Sequence, residues 1–230
     1  MSDLDDHAPD RNIRSFIRRQ GRITQGQQFA LANFWDKYCL EPSKALTVSE
    51  VFGRNAPLCL EIGFGNGECL AKLAAENPDK DYIGIEVHRP GVGHLMMQLE
   101  QHGLQNVRIY CHDAVEILTN NLADSSLSAV HLFFPDPWPK RKHHKRRIVQ
   151  ASFVALLAKK LQSGGYFHAA TDWQNYAESM LEILSANDRF SNASPTNAYC
   201  ERLAYRPLTK FEQRGLRLGH GVWDLIFKRN

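Results

Sequence analysis

The chain lacks any run of about 18 apolar residues able to span a bilayer, and its first residues are acidic and polar rather than basic and then apolar. A cytoplasmic protein without a membrane contact is therefore expected. Cysteine is scarce: Cys39, Cys59, Cys69, Cys111 and Cys200 are odd in number, widely spread and never arranged as C-x-x-C. That excludes a disulfide scaffold and points to reduced structural thiols. The ten histidines show no metal-ligand spacing, since the adjacent His143 and His144 would point to different faces of any helix, and no metal site is expected. Internal repeats and low-complexity tracts are missing too. Net charge is only +3 over 230 residues, so its distribution carries more information than its size.

What is present is enough apolar material, 43% of the chain, for one substantial core. From Leu58 onward, short apolar or β-branched runs alternate with segments of helical period. This is the pattern of an α/β fold, a mostly parallel sheet with helices on both faces. The strand candidates are Leu58 to Ile62, Tyr82 to Glu86, Val107 to Cys111, Ala129 to Phe134 and Tyr166 to Ala170, with a late strand over Gly221 to Lys228. Val92, Leu95, Met96 and Leu99 recur at helical spacing, as do Val149, Phe153, Leu156, Leu157 and Leu161. Gly103 and the pair Gly164-Gly165 are expected to end those two helices. A further helix fits Trp173 to Ala186, a short one fits Phe29 to Tyr38, and Ser191 to His220 has no period. Residues 1–45 read as a basic arm with a short helix, and 46–230 as the catalytic domain.

The first strand runs into Glu61-Ile62-Gly63-Phe64-Gly65-Asn66-Gly67 and then a helix. Glycines at that place let the backbone turn sharply and approach a ligand at a helix N-terminus. Glu86, about 20 residues further on and at the end of the next strand, is placed to accept from both hydroxyls of a ribose. The dinucleotide pattern G-x-G-x-x-G does not fit, because Glu68 stands where its third glycine belongs. Glu61 before the loop suits a cationic sulfonium and amino group and would repel a pyrophosphate. Asp113, after the third strand, is open to two readings that can coexist. It can accept from an adenine amino group while Ala114 leaves room for the ring, or it can open a capping box in Asp113-Ala114-Val115-Glu116.

At the carboxyl end of the fourth strand, where open α/β sheets bind ligands, stands Phe133-Phe134-Pro135-Asp136-Pro137-Trp138-Pro139-Lys140. Three prolines around one carboxylate and one indole fix a stiff backbone that presents Asp136 and Trp138. Trp138 is either a stacking surface for a base or a buried structural indole. Next come Arg141, Lys142, His143, His144, Lys145, Arg146 and Arg147, and the N-terminal arm adds Arg11, Arg14, Arg18, Arg19 and Arg22. Beside an active site, these cations form a surface for a phosphate backbone.

These segments, with Ile13 to Thr24, Thr171-Asp172-Trp173 and Thr209-Lys210-Phe211-Glu212, resemble the bacterial tRNA (guanine-N7-)-methyltransferases over nearly the whole chain, without a departure at the motif positions. The resemblance implies a class I methyltransferase fold, Rossmann-like with a seven-stranded sheet, and S-adenosylmethionine as cofactor. It implies that Glu61, Glu86, Asp113 and Asp136 line the cofactor pocket together with Gly63, Gly65, Gly67 and Ala114. Asp136 would be the catalytic residue, and Lys140, Asp172, Thr209, Lys210, Phe211 and Glu212 would contact the substrate. The implied target is guanosine 46 of the tRNA variable loop, modified without an obligate protein partner by a monomer or homodimer. Asp172 is also a candidate helix N-cap. Three rivals stay open: a methyltransferase for an exocyclic base amine, a nicotinamide-dependent oxidoreductase, and an RNA-binding module with a degenerate cofactor site.

Overall fold

A computed structural model describes residues 15–16, 21–208, 212 and 221–230. Its centre is a seven-stranded sheet: β1 (Leu58–Ile62), β2 (Asp81–Ile85), β3 (Val107–Tyr110), β4 (Leu127–Phe133), β5 (Leu161–Thr171), β6 (Phe190–Asn192) and β7 (Trp223–Arg229). The strand order is β3-β2-β1-β4-β5-β7-β6. Strands β1 to β5 pair in parallel, and β7 is antiparallel to both β5 and β6. The order reverses between β1 and β4, which opens a crevice at their carboxyl ends where a ligand can enter.

All five residues of β1 are buried, because helices cover both faces of the sheet. Leu58, Leu60 and Ile62 point to one side, where they meet α6 (Ala114–Asn120), α7 (Ala151–Lys160) and α8 (Gln174–Ser185). Cys59 and Phe64 belong to the opposite core, with α4 (Glu68–Glu76) and α5 (Arg89–Gln101). Each fully buried aliphatic or aromatic side chain in these layers contributes roughly 1.5 to 3 kcal/mol. Gly84 on β2 shows how closely the second layer sits, since a Cβ there would come within 2.7 Å of both Leu70 and Phe64.

The expected strands all form, β1 at its expected bounds and the others to within five residues at their ends. The expected first helix is instead two, α1 (Gln25–Asn33) and α2 (Trp35–Tyr38), broken at Phe34, and a short α3 (Val48–Phe52) precedes β1. Thr24 opens α1 with a capping box closed by Gln27, a signal in T-x-x-Q that lies before the apolar period begins. Both helices carry core residues, Ala30 and Tyr38, and α1 packs on α5 so closely that a Cβ on Gly93 would lie 2.9 Å from the Gln27 carbonyl oxygen. The pair Gly164-Gly165 does not end α7, which stops at Lys160. It lies inside β5, with Gly164 at φ 78°, and turns the strand beside the register shift between Leu127 and Ala129. A glycine in a strand marks an irregularity as readily as a helix end. Among its described residues, the aperiodic stretch Ser191 to His220 contributes the end of β6 and an isolated bridge from Cys200 to Asp224. No described helix is long and apolar enough to cross a membrane.

Candidate active site

The glycine loop has the shape its sequence demands. Gly63, Gly65 and Gly67 hold φ of 70°, 59° and 76°, a region that other residues enter only with strain. Gly67 caps α4 and leaves no room for a side chain, because a Cβ would stand 2.7 Å from Leu95. Nothing lies within 4 Å of the missing Cβ of Gly63 or Gly65, so their backbone faces open space. A fourth glycine escaped sequence reasoning. Gly91, in the first turn of α5, presses so close that a Cβ would lie 2.1 Å from the Gly65 carbonyl oxygen, and only this contact across two βα units reveals it.

Glu86 joins the two units. One carboxylate oxygen accepts from the Gly65 amide at 2.9 Å, and the other accepts from the Val87 and His88 amides at 2.7 and 2.9 Å. Gly63, Glu86, Ala114, Pro135 and Asp136 all line one cavity of about 390 Å³, floored by Ile62, Ile85 and Leu132. Asp136 is exposed on its rim. Asp113 lies in a neighbouring basin of about 840 Å³, although His112 and Ala114 on either side of it line the first cavity. One oxygen of its carboxylate caps α6, accepting from the Val115 and Glu116 amides at 2.8 and 3.2 Å. Of the two readings of Asp113, the helix cap is therefore realised.

Glu61 lines a second cavity of about 220 Å³ that shares Gly63, Phe133 and Phe134 with the first. It is 3% exposed, and among the described residues its Oε2 has no hydrogen-bond partner. Burial pushes its carboxyl up to about 8; the Cys69 thiol offsets part of this and Glu86 adds to it. A buried acid with a free oxygen, beside backbone open at Gly63 and Gly65, fits a ligand that brings a positive charge to that spot. The ionised form of the same carboxyl would repel a pyrophosphate.

The proline loop is held by braces that no motif announced. Phe134 and Trp138 take φ of 53° and 45°, strained for side chains of that size. The Phe134 amide donates to Ala170 at 2.7 Å, and the Trp138 indole N–H donates to the Ser15 carbonyl at 3.1 Å. The Arg146 guanidinium lies 4.9 Å from the Trp138 ring centre, and His143 meets the ring edge-on. Trp138 is thus the structural indole of its two readings. Arg147 departs from its expected place among the backbone-binding cations: it is 3% exposed. It donates to the Pro137 carbonyl and to Asn175 Oδ1, both at 2.9 Å, and its guanidinium covers the Tyr176 ring. A 3-10 turn over Arg141–Arg146 directs Lys140, Arg141, Lys142 and Lys145 to solvent and rotates Arg147 inward.

Arg206 is the largest surprise, since it lies in a stretch without period or motif. It is 1% exposed, donates in pairs to Glu212 (2.7 and 2.8 Å) and to Asp224 (2.7 and 2.9 Å), and spreads over Phe133 and Phe134. Burial alone would lower its pKa, but the two carboxylates outweigh that and raise it. Glu212, expected at the substrate, spends both oxygens on this pair. Asp224 also accepts from His168 at 2.8 Å, and burial keeps His168 neutral, with Nδ1 free to accept from the Tyr205 hydroxyl at 2.6 Å. Asp172 is half-buried and does not cap α8; the Thr171 hydroxyl accepts from the Trp173 amide instead. Arg18, Arg19, Thr209, Lys210 and Phe211 lie outside the described residues.

Comparison with known proteins adds to this geometry. A family described as "Putative methyltransferase" matches residues 55–225. Three tRNA (guanine-N(7)-)-methyltransferases are similar to the chain over nearly all its length. That of Alcanivorax borkumensis is 57% identical over 95% of this chain and 92% of the relative. That of Methylococcus capsulatus is 54% identical over 96% of both, and that of Escherichia coli is 55% identical over 96% and 93%. The fold also matches the crystal structure of the 16S rRNA methyltransferase KamB, with a TM-score of 0.59, 14% identity and coverage of 79% of this chain and 92% of that one. At that identity the likeness concerns the fold alone.

Proposed function

Because the chain belongs to the tRNA (guanine-N7-)-methyltransferase family, we propose that it transfers a methyl group from S-adenosylmethionine to N7 of a guanosine in tRNA, guanosine 46 of the variable loop, in the cytoplasm and without a partner subunit. The observation that carries this reading is the pairing of two acids around one cavity system. Glu61 is buried with an unpartnered oxygen behind the glycine loop, and Asp136 is exposed on a braced loop at the rim.

Gly63, Gly65 and Gly67 shape the cradle, Glu86 and Ala114 border it, and Glu61 balances the charge of the methionine part of the cofactor. Asp113 contributes at the adenine end while it caps α6. When bound, S-adenosylmethionine supplies a methyl group activated by a sulfonium. Guanine N7 has a free in-plane lone pair and no hydrogen, so the acceptor needs no proton removed. Asp136 therefore acts by orientation and electrostatics: it accepts from the N1–H and the exocyclic amino group and stabilises positive charge growing on the ring. Alignment in a site shielded from water supplies much of the rate. Asp172 and the segment Thr209 to Phe211 complete the substrate side.

The major groove of an A-form helix is too deep and narrow for side chains to reach N7 there. The substrate is accordingly a loop base, and Lys140, Arg141, Lys142 and Lys145 hold the flanking phosphates, with Arg18 and Arg19 of the arm. Incubation with methyl-labelled S-adenosylmethionine and unmodified tRNA, followed by mapping of the label, tests the reading. Label at N7 is expected; label on an exocyclic amine would replace the reading with its nearest rival. Asp136→Asn should lower kcat at least about 100-fold, the loss seen on removing one electrostatic group at a reacting centre. Full turnover in that variant, with unchanged tRNA binding, would refute the role given to Asp136.

A further inference from the structure

We infer that the indole of Trp173 stacks on an unpaired base of the bound tRNA. The inference deepens the reading above and rests on it. The chain has four tryptophans, and the structure sorts them sharply. Trp35 lies under Arg89 at 4.9 Å, Trp138 under Arg146 at 4.9 Å, and Trp223 meets Tyr199 at 6.5 Å. Trp173 is 40% exposed, and among the described residues its ring has no aromatic or cationic partner.

Its backbone, by contrast, is fully engaged. The amide donates to the hydroxyl of buried Thr171 at 3.2 Å, and the carbonyl accepts from the Tyr176 and Ala177 amides at 2.9 and 3.0 Å. A large exposed ring on a fixed backbone loses little freedom when a flat partner covers it. Its place also matters. Trp173 follows the carboxyl end of β5, beside the strand that carries the proline loop. Two residues later, Asn175 accepts from Arg147, whose guanidinium also holds the Pro137 carbonyl next to Asp136. The platform and the catalytic loop are therefore joined through a single buried guanidinium.

Lys140, Arg141 and Lys142 are exposed and follow directly on the proline loop that Arg147 ties to Asn175, so they would bring a phosphate backbone to this edge of the sheet. Bases displaced from a loop need an apolar face to replace the lost stacking, and an indole offers the largest one. Trp138, to which the sequence points first, cannot serve, because its ring is covered by Arg146 and edged by His143.

The test compares wild type, Trp173→Phe and Trp173→Ala with unmodified tRNA, using intrinsic fluorescence, binding at several salt concentrations, and KM and kcat for methylation. Wild-type fluorescence should be quenched by tRNA, and Trp173→Phe should lose that quenching while keeping most of the affinity. Trp173→Ala should raise KM for tRNA roughly 5- to 100-fold. Its salt slope should be unchanged, since stacking releases no counterions, and its affinity for S-adenosylmethionine should be that of wild type. Unchanged KM in Trp173→Ala, or quenching that survives in Trp173→Phe, overturns the inference. A matching loss of cofactor affinity also overturns it, by showing that the ring only supports the fold. If wild type binds tRNA but leaves it unmethylated, the activity reading falls while the binding and quenching arms still decide the stacking.

Discussion

The glycine loop and the proline loop border the same cavity and become rigid by opposite means. In the glycine loop, positive φ falls on residues built for it, and the clearance around Gly67 and Gly91 fixes how closely α4 and α5 approach. In the proline loop, positive φ falls on Phe134 and Trp138, each at a cost of about 1 to 3 kcal/mol. That strain persists because distant groups hold it: Ala170, Ser15, Arg147 and Arg206. A loop made by omitting side chains carries its instructions locally. A loop made by forcing side chains depends on the rest of the fold.

The contrast is broken most severely at Arg206. Its replacement by alanine removes the guanidinium that pairs with buried Glu212 and Asp224, which should cost about 3 to 5 kcal/mol in denaturant unfolding. If the midpoint is unmoved, Arg206 is not a brace of the proline loop. On the glycine side, the corresponding weakness is Glu61. Its carboxyl is raised to about 8 by burial, so its protonated form stabilises the fold. That contribution is complete below the unfolded value near 4.5 and drains away as pH rises to about 8, by a few kcal/mol. Glu61→Gln should flatten this decline in Tm while weakening S-adenosylmethionine binding, and a variant as pH-dependent as wild type would contradict it.

Gly67→Ala follows, with about 2 kcal/mol lost to the left-handed backbone and the Leu95 contact. It should weaken cofactor binding with little effect on tRNA affinity, which keeps the damage on one side of the cavity. The smallest effect belongs to the exposed cations. Replacing Lys142 and Lys145 together by alanine should weaken tRNA binding several-fold and reduce the slope of log K against log salt by about 1 to 2. Cofactor affinity should be untouched; a loss there would mean that these lysines shape the pocket.

The two halves also differed in legibility. The strands, the glycine loop and the placing of Glu86 and Asp136 at the cavity were readable because each depends on short-range rules: period, allowed φ and the reach of a βα unit. The split between Lys142 and Arg147 was not, since both stand in one basic run. Only the 3-10 turn decides which cation faces water and which grips Pro137. Trp138 and Trp173 were sorted in the same way by the fold, one covered by Arg146 and the other left open.

The sequence by itself determined the α/β order, the cradle and the family, since these follow from local pattern and from motifs that stand together in the chain. Tertiary structure alone decided that Arg206 and Glu212 form a buried pair, that Gly91 meets Gly65, and that Glu61 keeps an unpartnered oxygen. Each of these depends on which distant segment excludes water from a polar group, and a linear pattern carries no measure of that distance.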